Sequence, residues 1–397
     1  MRLIVSRARA FSVIFLAALV MLWIPQRSVA AGDPVELFAI LSLTGPGAFL
    51  GNSEQAGLLQ AADEVNKAGG IGGRPVKFTI ADDASLAQNA LALANGLIAR
   101  NVSVIFGPTL TASCSALAPL VRNGPVDYCF SAGMQPERGS YVFAYQASTA
   151  DSIGVDVRYF REHGLKRIAM LASTDSTGQV GDQGLDAALT QPANKELSLV
   201  DREHYNVNDL SVAAQIARIK GSGAQVLIAW GTGTPIGTVL RAVQDAGLDI
   251  PVTVSAGNFI YPEMKQFAGI LPRELMAASP PNIALDSLPS GPVKNAVSEY
   301  INAFKAVGIR ADISQANGWD PAQIIISGLK KLGPNATAAQ LKDYVSNLHG
   351  YAGACGMYDF RTGDQRGISA AQSLVMVRWD VPKDTWVAIS KFGGAPL

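Results

Sequence analysis

The residues best suited to hold another molecule lie in short runs rich in glycine and hydroxyl groups. Leu43-Thr44-Gly45-Pro46-Gly47-Ala48-Phe49-Leu50-Gly51, Gly107-Pro108-Thr109-Leu110-Thr111-Ala112-Ser113, Ser131-Ala132-Gly133, Thr174 to Gly178 and Gly231 to Thr234 share that character. Hydroxyls and free backbone N–H groups at the start of a helix suit an anionic group such as a carboxylate. Taken singly, each Ser or Thr serves as well as a plain helix cap. Their recurrence after successive strands favours a ligand cleft.

Patterns for covalent, phosphate or metal chemistry are missing from the sequence. It contains no HExxH, GxSxG or GxxxxGK[ST]. Gly231-Thr232-Gly233-Thr234-Pro235-Ile236-Gly237 comes nearest to a dinucleotide turn, but its glycine spacing is wrong. The strand after it, ending near Ser255, carries no acid for a ribose. It reads as a tight strand-to-helix turn. The run Gly69 to Gly73 follows a helix and reads as its stop. His163, His204 and His349 are scattered, and none falls in the hydroxyl-rich runs. An exported hydrolase is therefore disfavoured, and neither a metal nor a cofactor is expected.

The elements that position these runs alternate between strand and helix. Val35–Leu41, Val76–Ile80, Val102–Phe106 and Val126–Phe130 read as strands, with helices over 52–67, from Ser85, and over 112–121. Asn52 with Gln55, and Ser85 with Gln88, have the spacing of capping boxes. The pattern restarts after Thr149, with strands at 167–171, 225–230 and 251–255 and helices at 151–163, 209–220 and 235–246. Strands apolar on both faces belong in parallel sheets covered by helices. After Ser279-Pro280-Pro281 come helices at 293–307, 315–332 and 338–348, expected to return to the first unit. Final strands at 372–379 and 385–389 are expected to join the second.

The N-terminus sets the compartment. Arg2, Arg7 and Arg9 precede a 14-residue apolar stretch, Phe11 to Ile24, and Ser28-Val29-Ala30 offers small residues to a signal peptidase. The competing reading is a membrane anchor, but a spanning helix needs about 20 apolar residues. Residues 1–30 are thus expected to be a signal peptide, removed near Ala30, with the mature protein periplasmic. Removing them takes four arginines and no acid, leaving 28 basic against 32 acidic residues, a net charge of −4. That balance argues against nucleic acid as a partner. About 367 residues remain, enough for two domains. Export permits a disulfide, and Cys114 and Cys129 lie one helix and one strand apart. Three buried thiols, with Cys355, are the alternative.

The segments LTGPGAFLG, AADEVNKAGGIGGRPVKFTIADDAS, VIFGP, RIAML, TVLRAVQDAGL and GMYDFRTGDQRG resemble type I periplasmic binding proteins of the leucine/isoleucine/valine-binding family. The resemblance runs over essentially the whole mature chain. It implies two Rossmann-like α/β lobes with parallel sheets joined by a three-strand hinge, residues 31–149 with 279–371 and residues 150–278 with 372–397. It implies a monomer that closes on a small-molecule ligand and delivers it to an inner-membrane ABC permease; a sensory module would use the same closed form. It places Thr111, Ser131 and Gly133 on the ligand carboxylate, with Thr109 in the same loop. An aromatic position of the family falls on Leu50, next to Phe49, and others fall on Thr177 and Thr232. The acid that grips an α-ammonium falls near Gly257-Asn258, where there is none. An unpaired buried ammonium costs several kcal/mol, so the expected ligand keeps a carboxylate or other acceptor but lacks a free amino group, unless Asp175 points inward. The family's small-loop disulfide is absent, its positions holding Ser85 and Leu110. Trp230, at a strand's carboxyl end, is either a pocket wall or core.

Overall fold

The computed structural model describes residues 32–258 and 260–397; the expected signal peptide lies outside them. Two sheets organise the chain. The first contains β1 (Val35–Leu41), β2 (Val76–Asp82), β3 (Val104–Phe106), β4 (Val126–Cys129) and β5 (Val142–Ala144) in the order β2-β1-β3-β4-β5, all parallel. The second contains β6 (Arg167–Ser173), β7 (Ser198–Tyr205), β8 (Val226–Trp230), β9 (Val252–Val254), β10 (Leu275–Ser279), β13 (Val375–Asp380) and β14 (Thr385–Ala388). Its order is β14-β13-β10-β9-β8-β6-β7, parallel except where β13 meets its two neighbours. A hairpin of β11 (His349–Gly353) and β12 (Gly356–Asp359) stands apart.

Burial explains the parallel order. Every residue of β8 is buried, and β1 exposes only Glu36. Strands apolar on both faces are stable only between two layers of helix. The chain passes between the sheets three times. β5 ends at Ala144, and α4 (Thr149–Glu162) packs against the second sheet. β10 ends at Ser279, and α9 (Pro292–Lys305) and α10 (Gln315–Leu332) return to the first. After β12, β13 joins the second sheet again. This is the two-lobed Rossmann-like arrangement.

Helix α1 (Ala48–Lys67) starts four residues before the expected Asn52, because the turn Gly45-Pro46-Gly47 already closes on Ala48. Asn52 does not cap. Its side chain donates to the carbonyls of Leu43 and Ala48 instead. Likewise α2 (Ala87–Ala99) begins after Ser85, whose hydroxyl donates to Thr44 O and accepts from Gly47 N, tying two loops together. Neither expected capping box forms. Backbone glycines let α1 and α10 cross closely. A Cβ on Gly57 would lie 2.0 Å from Gln315 O, and one on Gly318 would lie 2.3 Å from Glu54 O.

Several elements escaped sequence reasoning. β5 has only three residues. Helix α5 (Ser176–Leu189) carries Gly178, Gly181 and Gly184, poor helix formers. β7, an edge strand, mixes acids and bases on half-buried positions. β10 reads Leu-Met-Ala-Ala-Ser, residues that favour helix on propensity alone. The hairpin β11–β12 contains Gly350, Gly353 and Gly356. Cys114, on α3 (Thr111–Leu117), is bonded to Cys129 with a Cα–Cα distance of 5.9 Å, while Cys355 is a buried thiol.

Candidate functional site

The carboxyl ends of strands from both sheets face one cavity of about 50 Å³. On the first side its walls are hydroxyl-rich. Thr111 Oγ1 and Ser131 Oγ share a hydrogen bond of 2.7 Å, and Ser131 Oγ also accepts from Gly133 N at 3.2 Å. Gly133 is required here, since a Cβ would lie 2.6 Å from Thr111 Oγ1. Thr109 is fixed at both ends. Its oxygen accepts from Ser42 N, and its proton goes to Glu54 Oε2 at 2.6 Å.

Glu54 is the residue that sequence reasoning missed. It is buried in the first half of α1 and lines the cavity. The Gly57–Gly318 crossing brings Asn317 close enough to donate to Glu54 Oε1 at 3.4 Å. Burial pushes the Glu54 carboxyl up to about 8, opposed by the Thr109 and Asn317 hydrogen bonds and reinforced by the charge of Asp83. The signal was in the sequence, an acid in the second turn of the first helix, but it reads there as an ordinary solvated face. No Lys, Arg or His lines the cavity among the described residues.

The second side is built by β8 and the loops after it. Trp230 is 3% exposed and walls the cavity, and a Cβ on Gly181 would meet its Cδ1 at 2.4 Å. Its Nε1 has no hydrogen-bond partner among the described residues. Thr232, Ser255, Gly257 and Thr177 complete the wall. The two sides touch. A Cβ on Gly233, whose φ is +99°, would lie 2.5 Å from Pro46 O.

Of the expected site residues, the structure gathers Leu50, Thr109, Thr111, Ser131, Gly133, Thr177 and Thr232 around the cavity. Phe49 and Asn258 do not line it. Phe49 is half-buried in the first turn of α1, which leaves Leu50 as the inward residue. Asn258 holds the loop behind the wall, donating to Gly231 O at 2.8 Å and accepting from Gly233 N at 3.0 Å. Asp175 does not point inward. It caps α5, accepting from Thr177 N, Gly178 N and the Ser173 hydroxyl.

A buried arginine braces this site from the third crossing. Arg366 is 3% exposed and donates to the carbonyls of Ala132, Met134 and Gln146. Neighbouring Gln365 donates to Ser140 O and Val142 O and receives Ala144 N. The late GDQRG segment therefore fixes the loops after β4 and β5. Three larger hollows, about 650, 840 and 500 Å³, lie outside this convergence of strand ends. Open α/β sheets bind ligands at the carboxyl ends of their strands, which favours the smaller cavity. A further opening of about 420 Å³, between Ser115 and Gln179, shares Thr111 and Gly133 with it and continues the cleft outward.

Two α/β units joined by three crossings, with a polar cavity between their strand ends, define a two-lobed binding protein of type I. The periplasmic binding protein family model matches residues 34–385, and the chain belongs to that family. A leucine-, isoleucine-, valine-, threonine- and alanine-binding protein of Pseudomonas aeruginosa is 26% identical over 55% of this chain and 59% of its own length. Leu/Ile/Val-binding protein homolog 3 of Brucella melitensis is 23% identical over 88% of this chain and 93% of its own. Among solved structures, an extracellular ligand-binding receptor from Rhodopseudomonas palustris superposes with a TM-score of 0.78 at 19% identity, covering 89% of this chain and 99% of that one. The branched-chain amino acid substrate-binding protein LivJ of Streptococcus pneumoniae, in complex with isoleucine, gives 0.73 at 16%, over 87% and 95%.

Proposed function

We propose that the protein is the periplasmic solute-binding component of an ABC-type importer, freed by removal of residues 1–30, and that it captures a small carboxylate-bearing solute. The observation that carries this reading is the Thr111–Ser131–Gly133 cradle, set opposite Trp230 and Thr232 across one cavity. Two hydroxyls and a backbone N–H suit a carboxylate, as they would at a helix N-terminus. In this reading residues 31–149 with 279–371 form one lobe and residues 150–278 with 372–397 the other. The lobes open at the crossings and close as a monomer when solute bridges them. Closure is a population shift, driven by contacts that exist only in the closed state. The closed form is what an inner-membrane permease would recognise.

No acid stands near Gly257-Asn258 to meet an amino group on the solute. Glu54 offers a carboxyl from the opposite lobe, so amino acids join aromatic acids, short aliphatic acids and amides as candidates. A thermal-shift panel of these four classes tests the reading. A solute at a hundred times its Kd is expected to stabilise the folded protein by about 2.7 kcal/mol, a rise of several degrees. A panel in which no carboxylate-bearing solute raises the melting temperature contradicts it.

A further inference from the structure

We propose that Arg310 is a clasp between the two lobes, holding them together from outside the cavity and letting go when they open. The clasp rests on the reading above only in taking the lobes to open and close about the crossings.

Arg310 belongs to the first lobe. It stands in the loop between α9 and α10, and that loop is fixed on both sides of it. Ile309 N donates to Phe304 O at 3.0 Å. Asp312 accepts from the Ser53 hydroxyl at 3.0 Å, and its carbonyl accepts from the Tyr300 hydroxyl and the Asn282 amide. Ala311 packs on the first core. The guanidinium, by contrast, makes its contacts on the second lobe. Its Cζ lies 3.4 Å from the ring centroid of Tyr261, at the start of α8 (Tyr261–Phe267). Nη2 donates to Asp384 O at 2.7 Å, and Nη1 donates to Asp384 Oδ2 at 3.2 Å. Asp384 ends the tight turn between β13 and β14. Tyr261 is tied to the same place, its hydroxyl sharing a 3.2 Å hydrogen bond with Thr385 Oγ1. One side chain of one lobe thus meets a ring, a carbonyl and a carboxylate of the other.

This contact stands by itself. Among the described residues every other ion pair keeps within one lobe. The surfaces beside it do not pack. The hollow of about 840 Å³ lies there, lined by Ile301 and Ile309 from the first lobe and by Val387 and Ala388 from the second, with Arg310 and Tyr261 on its wall.

The clasp is also well away from the crossings. Thr385, next to Asp384, pairs with Asp380, five residues along β13 from Val375, where the third crossing enters the sheet. At about 3.4 Å per residue the separation is about 17 Å. A lobe rotation of about 15° moves a point at that distance by up to about 4 Å. Hydrogen bonds do not survive such a stretch. The clasp is fastened here with the lobes in contact at Gly233 and Pro46, so it favours the closed form. The Arg310 and Asp384 side chains are 46% and 75% exposed, so the ion pair alone is weak. With the cation over the ring added, the clasp shifts the balance by about three- to tenfold. That is enough to bias closure and too little to prevent release.

Single-molecule fluorescence on the empty protein tests the clasp, with dyes on Leu86→Cys in one lobe and Leu210→Cys in the other. Both leucines are exposed, Cys355 is buried, and Cys114 is bonded to Cys129, so the dyes go where they are placed. Their separation reports the ratio of open to closed molecules. Arg310→Met keeps an apolar stem and removes the charge, and is expected to raise that ratio about three- to tenfold. Arg310→Lys keeps a cation but loses the planar fork, and should fall between the two. A ratio unchanged or lowered in Arg310→Met overturns the clasp. Lobes that close on a member of the thermal panel, at a ratio that Arg310→Met does not alter, leave the solute reading standing and remove the clasp. A ratio raised by Arg310→Met, with no member of the panel closing the lobes, keeps the clasp and removes the solute reading. One fixed separation under every condition removes both.

Discussion

Removing both hydroxyls of the cradle, in Thr111→Val with Ser131→Ala, is expected to weaken solute binding about 10²- to 10⁴-fold. Each hydrogen bond to a charged group is worth about 1.5–3 kcal/mol, so two lost together give about 3–6 kcal/mol. Stability should change far less. The two hydroxyls satisfy each other at 2.7 Å, and replacing both members of a buried pair by apolar groups of similar shape is nearly neutral. The exception is Gly133 N, which loses Ser131 Oγ as acceptor, at a cost of about 1 kcal/mol. Calorimetry and a denaturation curve on the same sample check both halves. A double variant that binds as tightly as the unaltered protein removes the cradle from the account.

Arg366→Met is the second large effect, and it runs the other way, through stability first. The guanidinium is buried and its N–H groups reach three backbone carbonyls from two loops. Methionine fills similar volume but leaves those carbonyls without their donor. Each buried group stripped of its partner costs about 1–3 kcal/mol, so unfolding free energy should fall by about 3 kcal/mol or more. The compensating gain is that a charge whose ionised form burial already disfavours is removed. Because Ala132 and Met134 flank Gly133, solute affinity should fall as well. Arg366→Lys should recover little, since a single ammonium cannot replace the planar fork. Denaturant titration of the three proteins measures the order; equal midpoints would show that the loops hold without the brace.

How far the sequence spoke depended on whether a property was local. Strand β1, helix α10 and the strand-and-helix alternation follow from short runs of apolar residues. β1 and α10 have the expected ends. Thr109, Thr111, Ser131 and Gly133 were legible because each lies just past a strand, where parallel sheets expose loop ends. What stayed hidden was set by distant chain. Asn52 and Ser85 matched a capping pattern, yet each bonds to a carbonyl in the loop after β1. Glu54 looked like surface because nothing local says that α10 crosses it, and the Gly57–Gly318 contact spans more than 250 residues of sequence. Asp175 looked like a spare acid because its partners are the N–H groups of its own helix. Arg366 stood in a quoted motif whose work, bracing loops more than 200 residues away, only the fold reveals.

The central claim is that solute is held between the lobes, between the Thr111–Ser131–Gly133 cradle and Trp230. A crystal structure of the protein with the best solute from the thermal panel tests it directly. The account predicts solute density in that cavity, a carboxylate within hydrogen-bond distance of Thr111, Ser131 and Gly133 N, and the indole of Trp230 against the remainder. Solute bound in any of the outer hollows, with the inter-lobe cavity empty, would contradict it.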